Sequence, residues 1–209
     1  MPGKIGFRLM VITDRKLTGK QKFQKVIRVA CASGIKAVQL REKDLDSKSL
    51  LLLAKEMKNI TAKNKAALII NDRLDIAMLC GAAGIQVPVN GLTINAIKTT
   101  QNKLLAGKSI HSVNDAVKAE KDGYDYLLFG PVFRTVKKIK YGKPQGLKNL
   151  KEICGKVKTP VFAVGGINPV RAKKCIDAGA YGVAVISALM KSKNIKKTVS
   201  EFKSSLGEL

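Results

Sequence analysis

Long hydrophobic runs are missing from this sequence: no apolar stretch approaches the roughly 20 residues that a membrane-spanning helix needs, which excludes a helical membrane span. Met1 to Thr13 carries basic residues but only a short apolar stretch, Phe7 to Thr13, with no small-residue cleavage pattern behind it, so no export signal is expected. Cysteine is sparse. Cys31, Cys80, Cys154 and Cys175 show neither CxxC nor Cys/His spacing, which excludes a zinc cluster and a thioredoxin-like motif and leaves buried, reduced thiols as the expectation. Together these absences point to the cytoplasm. Histidine occurs once, at His111, and one histidine without further ligands cannot assemble a zinc site. Acidic residues are also scarce, 15 against 39 Lys and Arg, for a net charge of +24. That excess attracts nucleic acid, acidic membranes or phosphorylated metabolites. The lysines are spread over helix faces, as at Lys55, Lys58, Lys63 and Lys65, and form no arginine-rich stripe with interleaved aromatics. A phosphorylated small molecule is therefore the expected partner, with nucleic acid and membrane not expected.

What is present is an alternation of strands and helices. The chain has 209 residues and a hydrophobic content of 45%, enough for one substantial core, so residues 1–209 are read as a single domain. Short β-branched runs recur at Phe7–Thr13, Ala37–Leu40, Ala67–Ile70, Gly84–Val87, Gly107–Ile110, Tyr126–Phe129, Val161–Val164 and Gly182–Ile186. Helical spacing lies between them, as at Gln21–Cys31, Ser47–Lys63, Asp115–Lys121 and Pro169–Ala178. Eight such units predict an α/β fold, a single (β/α)8 TIM barrel; a doubly wound sheet is the weaker alternative, because no GxGxxG follows the first strand. The longest connection without regular structure, Gly130 to Gly146, has the length and glycine content of a lid.

In such a barrel the chemistry sits where strands end. After the second strand, Gln39, Arg41 and Lys43 alternate, hence share one face if the strand stays extended, and read as an anion site or as a structural ion-pair cluster. The third strand ends in Asn71 and Asp72, either a helix cap or, for Asp72, a magnesium ligand beside a pyrophosphate. The fifth puts Ser109 and His111 on one face, with Ser112 and Asp115 spaced as a capping box; the near-neutral pKa of an imidazole suits proton transfer. Gly165 and Gly166 after the seventh strand, and Ile186 and Ser187 after the eighth, stand where barrels commonly hold a phosphate.

Seven ordered motifs resemble the thiamin phosphate synthase/TenI superfamily over almost the whole chain: Val11-Ile12-Thr13-Asp14, Gln39-Leu40-Arg41-Glu42-Lys43, Ile70-Asn71-Asp72-Arg73, Ser109-Ile110-His111-Ser112, Phe129-Gly130-Pro131-Val132-Phe133, Val164-Gly165-Gly166-Ile167 and Val185-Ile186-Ser187. The synthase branch implies Gln39 as a pyrimidine contact, Arg41, Lys43, Asn71, Ser109 and Lys138 as diphosphate contacts, and Asp72 as one of a pair of magnesium-binding aspartates. The second departs from that pattern, because the synthase motif resembling Gly-Ile-His-Leu-Gly-Gln-x-Asp reads here Gly84-Ile85-Gln86-Val87-Pro88-Val89-Asn90-Gly91, with Gly91 at the aspartate. The synthase loop resembling Pro-Thr-x-Thr-Lys reads Arg134-Thr135-Val136-Lys137-Lys138, matching at Thr135 and Lys138 only.

These departures favour the TenI branch, whose members resemble thiazole tautomerases that need no cofactor. There His111 is expected as general acid/base and Arg41, with Lys43 beside it, faces the substrate carboxylate, while Gly165, Gly166, Ile186 and Ser187 hold the phosphate. The alternative is a thiamin phosphate synthase using Mg2+ to join an aminopyrimidine diphosphate to a thiazole phosphate. A third reading, a non-catalytic basic binding protein, rests on the charge alone. A homodimer is a reasonable expectation for apolar barrel faces.

Overall fold

The structure, a computed structural model, describes residues 5–18, 23–100, 103–135 and 143–208. Strands and helices alternate as β1 (Leu9–Ile12), α1 (Phe23–Ala32), β2 (Ala37–Leu40), α2 (Ser47–Lys63), β3 (Ala67–Asn71), α3 (Leu74–Leu79), β4 (Gly84–Val87) and α4 (Ile94–Thr100). The second half continues with β5 (Leu105–Ile110), α5 (Val113–Asp122), β6 (Tyr126–Phe129), α6 (Gly146–Lys156), β7 (Val161–Val164), α7 (Pro169–Asp177), β8 (Gly182–Val185), α8 (Ser187–Met190) and α9 (Ile195–Ser205). All eight strands are parallel and the sheet closes where β1 pairs with β8, Val11 opposite Val185. The expected (β/α)8 barrel is the observed one, and β2, β4, β6, β7 and α2 have the bounds read from the sequence.

Strand alternation divides the core in two. Val11, Val38, Leu40, Ile70, Ile85, Leu127 and Val183 face outward and pack on the helices. The inward set forms layers contributed by alternate strands, as barrels require. Met10, Ile69 and Phe162 lie below Ile12 and Val164, and Tyr126 fills the lower barrel beneath Gly107, where a Cβ would stand 2.1 Å from the tyrosine Cζ. Phe7 was read as strand, but β1 begins only at Leu9. Phe7 instead closes the lower end, its ring 5.4 Å from that of Phe162, which in turn lies 5.6 Å from Tyr126. A largely apolar, aromatic floor thus fills the N-terminal end, its buried polar atom being the Tyr126 hydroxyl.

Local signals explain the helix starts. Asp46 caps α2 by accepting from the Ser49 amide, and Asn168 caps α7 ahead of Pro169 at its first turn. Of the cysteines, Cys31, Cys80 and Cys175 are buried, Cys154 is half-buried and all are free thiols. Burial pushes Cys31 and Cys154 up to about 11 and Cys175 to about 12, so they are poor nucleophiles at neutral pH. Among the described residues no helix is long and apolar enough to cross a membrane.

Candidate active site at the C-terminal mouth of the barrel

The mouth has one polar wall. Gln39, Asn71, Gln86 and Ser109 come from the consecutive strands β2 to β5 and all point inward, because each stands at an inward position of its strand. They bond in pairs: Gln39 Nε2 donates to Asn71 Oδ1 at 3.2 Å, and Gln86 Nε2 donates to Ser109 Oγ at 3.1 Å. Both glutamines are buried, and their Oε1 atoms have no protein partner among the described residues. An unmet buried acceptor is costly unless a donor arrives, so each is a place for a ligand N–H or O–H. Gln86 was not among the expected site residues. Its signal was its alternation in phase with the other three, visible once the register sets it opposite Asn71 and Gly107.

Arg41 and Lys43 do not share a strand face, since β2 ends at Leu40. The chain turns because Glu42 folds back inside, accepting from Thr13 Oγ1 at 2.7 Å and from the Arg15 amide at 3.1 Å, while the Arg41 amide donates to Thr13 Oγ1 at 3.0 Å. Arg15 bridges Glu42 and Asp44, and Lys16 pairs with Asp44, so the loop's acids are taken by the first βα connection. Arg41 is half-buried beside the polar wall and Lys43 is exposed in the turn.

Neither Asn71 nor Asp72 caps the next helix: α3 begins at Leu74 behind Arg73, with no side-chain cap bond. Asp72 is exposed, its amide donates to the Gln86 carbonyl at 2.9 Å, and its φ of 67° lies in the left-handed region. A non-glycine residue held there carries strain of the kind that gathers at binding sites. Asp72 offers an exposed carboxylate at this rim, and among the described residues no group of three His, Cys, Asp or Glu is assembled for a metal.

His111 lies just beyond β5. Its amide donates to Asp115 Oδ2 at 3.0 Å and its Nδ1 lies 2.7 Å from the Gly130 carbonyl. A carbonyl only accepts, so Nδ1 carries a proton, and in the neutral ring the lone pair is on Nε2. The capping box is realised one residue out of step: Ser112 accepts from the Asp115 amide, but Asp115 returns its bond to His111.

Across the mouth lie the glycines after β7 and the start of α8. Gly165 and Gly166 have φ values of 100° and 66°, and a Cβ on either would stand 2.6 Å from Pro131 Cα or the Arg134 carbonyl oxygen. Glycine is thus required both by backbone angle and by the close approach of the β6–α6 connection. The amides of Gly165, Gly166, Ile186 and Ser187 have no protein acceptor among the described residues. Ile186 stands at the N-cap of α8 and Ser187 begins it. Thr135 is half-buried in the same connection; Lys138, and with it the middle of the expected lid, lies outside the described residues.

A further cation stands behind the wall. Lys108 follows Gly107 and precedes Ser109 on β5 and so faces outward; its Nζ donates to the carbonyls of Pro88 at 2.9 Å and Val89 at 2.8 Å and lies 5.6 Å from the centre of the Tyr124 ring. Burial pushes its ammonium below the ordinary lysine value.

The chain is similar to known proteins over almost its whole length. A putative thiamine-phosphate synthase 2 of Aquifex aeolicus is 41% identical over 183 residues, 88% of this chain and 97% of the relative. A thiamine-phosphate synthase of Pyrococcus abyssi is 35% identical over 98% of this chain and 99% of its own. The solved thiamine phosphate pyrophosphorylase of Pyrococcus furiosus superposes with a TM-score of 0.87 at 33% identity, covering 96% of each chain. With the family model for thiamine monophosphate synthase matching residues 9–189, from the first strand into the helix behind Ser187, the chain belongs to the thiamine monophosphate synthase/TenI family.

Proposed function

We propose that the protein is a thiamine-phosphate synthase, joining an aminopyrimidine diphosphate to a thiazole phosphate. The observation that carries this reading is the convergence of Gln39, Asn71, Gln86 and Ser109 on one wall, with Asp72 at its rim and free backbone amides facing it across the mouth. Two anionic substrates need two anion sites, and the two sides of the mouth are read as these. The names of the relatives at 35–41% identity support the synthase over the tautomerase that the motif departures favoured.

In the coupling, the carbon–oxygen bond to diphosphate breaks, diphosphate leaves with the electron pair, and the thiazole nitrogen supplies the pair for the new carbon–nitrogen bond. The protein's task is to stabilise the charge that develops on the leaving group and to align the nitrogen. Arg41, Asn71 and Ser109 receive the diphosphate, with Lys43 and Lys138 adding positive charge. Gln39 and Gln86 offer buried acceptors to the amino group of the pyrimidine. The amides of Gly165, Gly166, Ile186 and Ser187 hold the thiazole phosphate. Magnesium, when bound, would neutralise diphosphate charge. One carboxylate fits it, because magnesium commonly binds through one or two carboxylates plus substrate phosphates and water. Asp72 would hold it, and its binding would depend on the diphosphate being present.

The tautomerase remains the second reading because His111 keeps Nε2 as a base while Nδ1 is fixed on Gly130. Assaying the purified protein for thiamin phosphate formation with and without magnesium, beside conversion of the carboxythiazole phosphate tautomer, separates the two. Magnesium-dependent coupling is the expected result; tautomer conversion without coupling would overturn the synthase reading.

A further inference from the structure

The segment between β4 and α4 carries Asn90 and Gly91, where the family resemblance expects a carboxylate and this chain has none. It is held from outside by side chains that the sequence reading passed over. Lys108 binds the carbonyls of Pro88 and Val89, the Tyr124 hydroxyl donates to the Leu92 carbonyl at 3.1 Å, and the Gly91 amide closes the turn on Pro88 at 3.0 Å. Tyr124 is itself buried and its ring supports the Lys108 ammonium. The cation lies in a groove of about 750 Å³ that also reaches Ser109 of the polar wall.

In a trans peptide the C=O and the following N–H point in opposite directions. Lys108 lies on the outer face of the barrel wall, so drawing the Pro88 and Val89 carbonyls toward it turns the amides of Val89 and Asn90 the other way. Neither amide has an acceptor among the described residues. Successive amides aimed to one side form an anion-binding nest.

We propose that Lys108, supported by Tyr124, is a positioning residue that sets the Val89 and Asn90 amides toward the mouth as donors to the diphosphate of the substrate. The rim that in the resemblance carries a metal-binding acid then contributes N–H donors here. Gly91 fits this arrangement, since a Cβ there would stand 2.7 Å from Val87 Cγ1 and 2.8 Å from Pro88 Cδ, and the turn would have to open.

The proposal rests on the synthase reading. Its test uses inorganic pyrophosphate with magnesium as probe, titrated into the full-length protein and the variants K108M, K108R and Y124F. K108M should weaken pyrophosphate by about tenfold, the scale of a lost charge-assisted bond. K108R should recover most of that loss, Y124F should show a smaller loss, and inorganic phosphate at the glycine end should bind all four proteins alike. Pyrophosphate should also slow hydrogen exchange at the Val89 and Asn90 amides of the wild type and not in K108M. Equal pyrophosphate affinity in wild type and K108M, or protection that bypasses these amides, overturns the clamp even if the wild type joins its substrates. Failure of the wild type to join them is the separate result that removes the reading beneath it.

Discussion

His111 Nδ1 lies 2.7 Å from the carbonyl oxygen of Gly130, tying the end of β5 to the start of the connection after β6. The bond sets the tautomer of the neutral ring, with the lone pair on Nε2. Coupling by displacement of diphosphate moves no proton, whereas tautomerisation must. H111Q should therefore lower coupling by less than about tenfold, against the roughly 10²–10⁴-fold that a general acid/base contributes. Steady-state kinetics decide it: a loss beyond about 10²-fold, with a bell-shaped pH profile flattened in the variant, would restore His111 to the chemistry.

Asp72 carries the cation argument, since Gly91 stands where the resemblance expects the second carboxylate. D72N should raise the magnesium concentration for half-maximal coupling by at least about tenfold, because the remaining ligands are substrate oxygens and water. Titration calorimetry of the wild type should show no magnesium binding until pyrophosphate is added. Tight magnesium binding to the protein alone would mean that a second ligand has been overlooked.

The barrel was legible because its signals are local. Alternation at Ala37–Leu40 and Gly84–Val87 and the cap at Asp46 depend on neighbours in the chain. What was misread depends on distant partners or on backbone angle. Lys43 left the expected face because Thr13 and Arg15 draw Glu42 inward from about one βα unit away. Asp72 looked like a cap, and its left-handed φ has no signature in residue type. Gln86 joins the wall only through the register that sets it between Asn71 and Gly107, which its residue type does not signal. Lys108 has no local signal, because its role depends on the Pro88 and Val89 carbonyls that its outward position on β5 lets it reach.

Gly166 tests how tightly the anion end is built. G166A forces a Cβ to within 2.6 Å of the Arg134 carbonyl oxygen at a φ of 66°. Strain of this kind costs about 1–3 kcal/mol, or several degrees in Tm for a chain of this length. The affinity for inorganic phosphate should fall as well, because relief requires the Gly166 amide to move. A calorimetric melt and a phosphate titration check both, and unchanged values in the two would remove the close approach from the account.

Glu120 on α5 gives the protein an acid limit at a point distant from the mouth. Its Oε1 accepts from the amides of Lys158 at 2.6 Å and Thr159 at 2.8 Å and from the Thr159 hydroxyl at 3.1 Å, pinning the entry to β7. Burial alone would raise this carboxyl, but the amides of Thr159 and Lys158 outweigh it and hold the group below the ordinary glutamate value. A carboxyl lowered in the folded state stabilises fully above its unfolded pKa, and the contribution is lost as pH falls through the folded one. E120Q keeps an acceptor oxygen but loses the charge, so it should be less stable than the wild type at neutral pH. Urea midpoints should converge as pH falls through the folded carboxyl's pKa, which lies below the ordinary glutamate value. A gap that stays constant from neutral pH to the limit of acid unfolding would show that shape and packing, not the charge on Glu120, hold the start of β7.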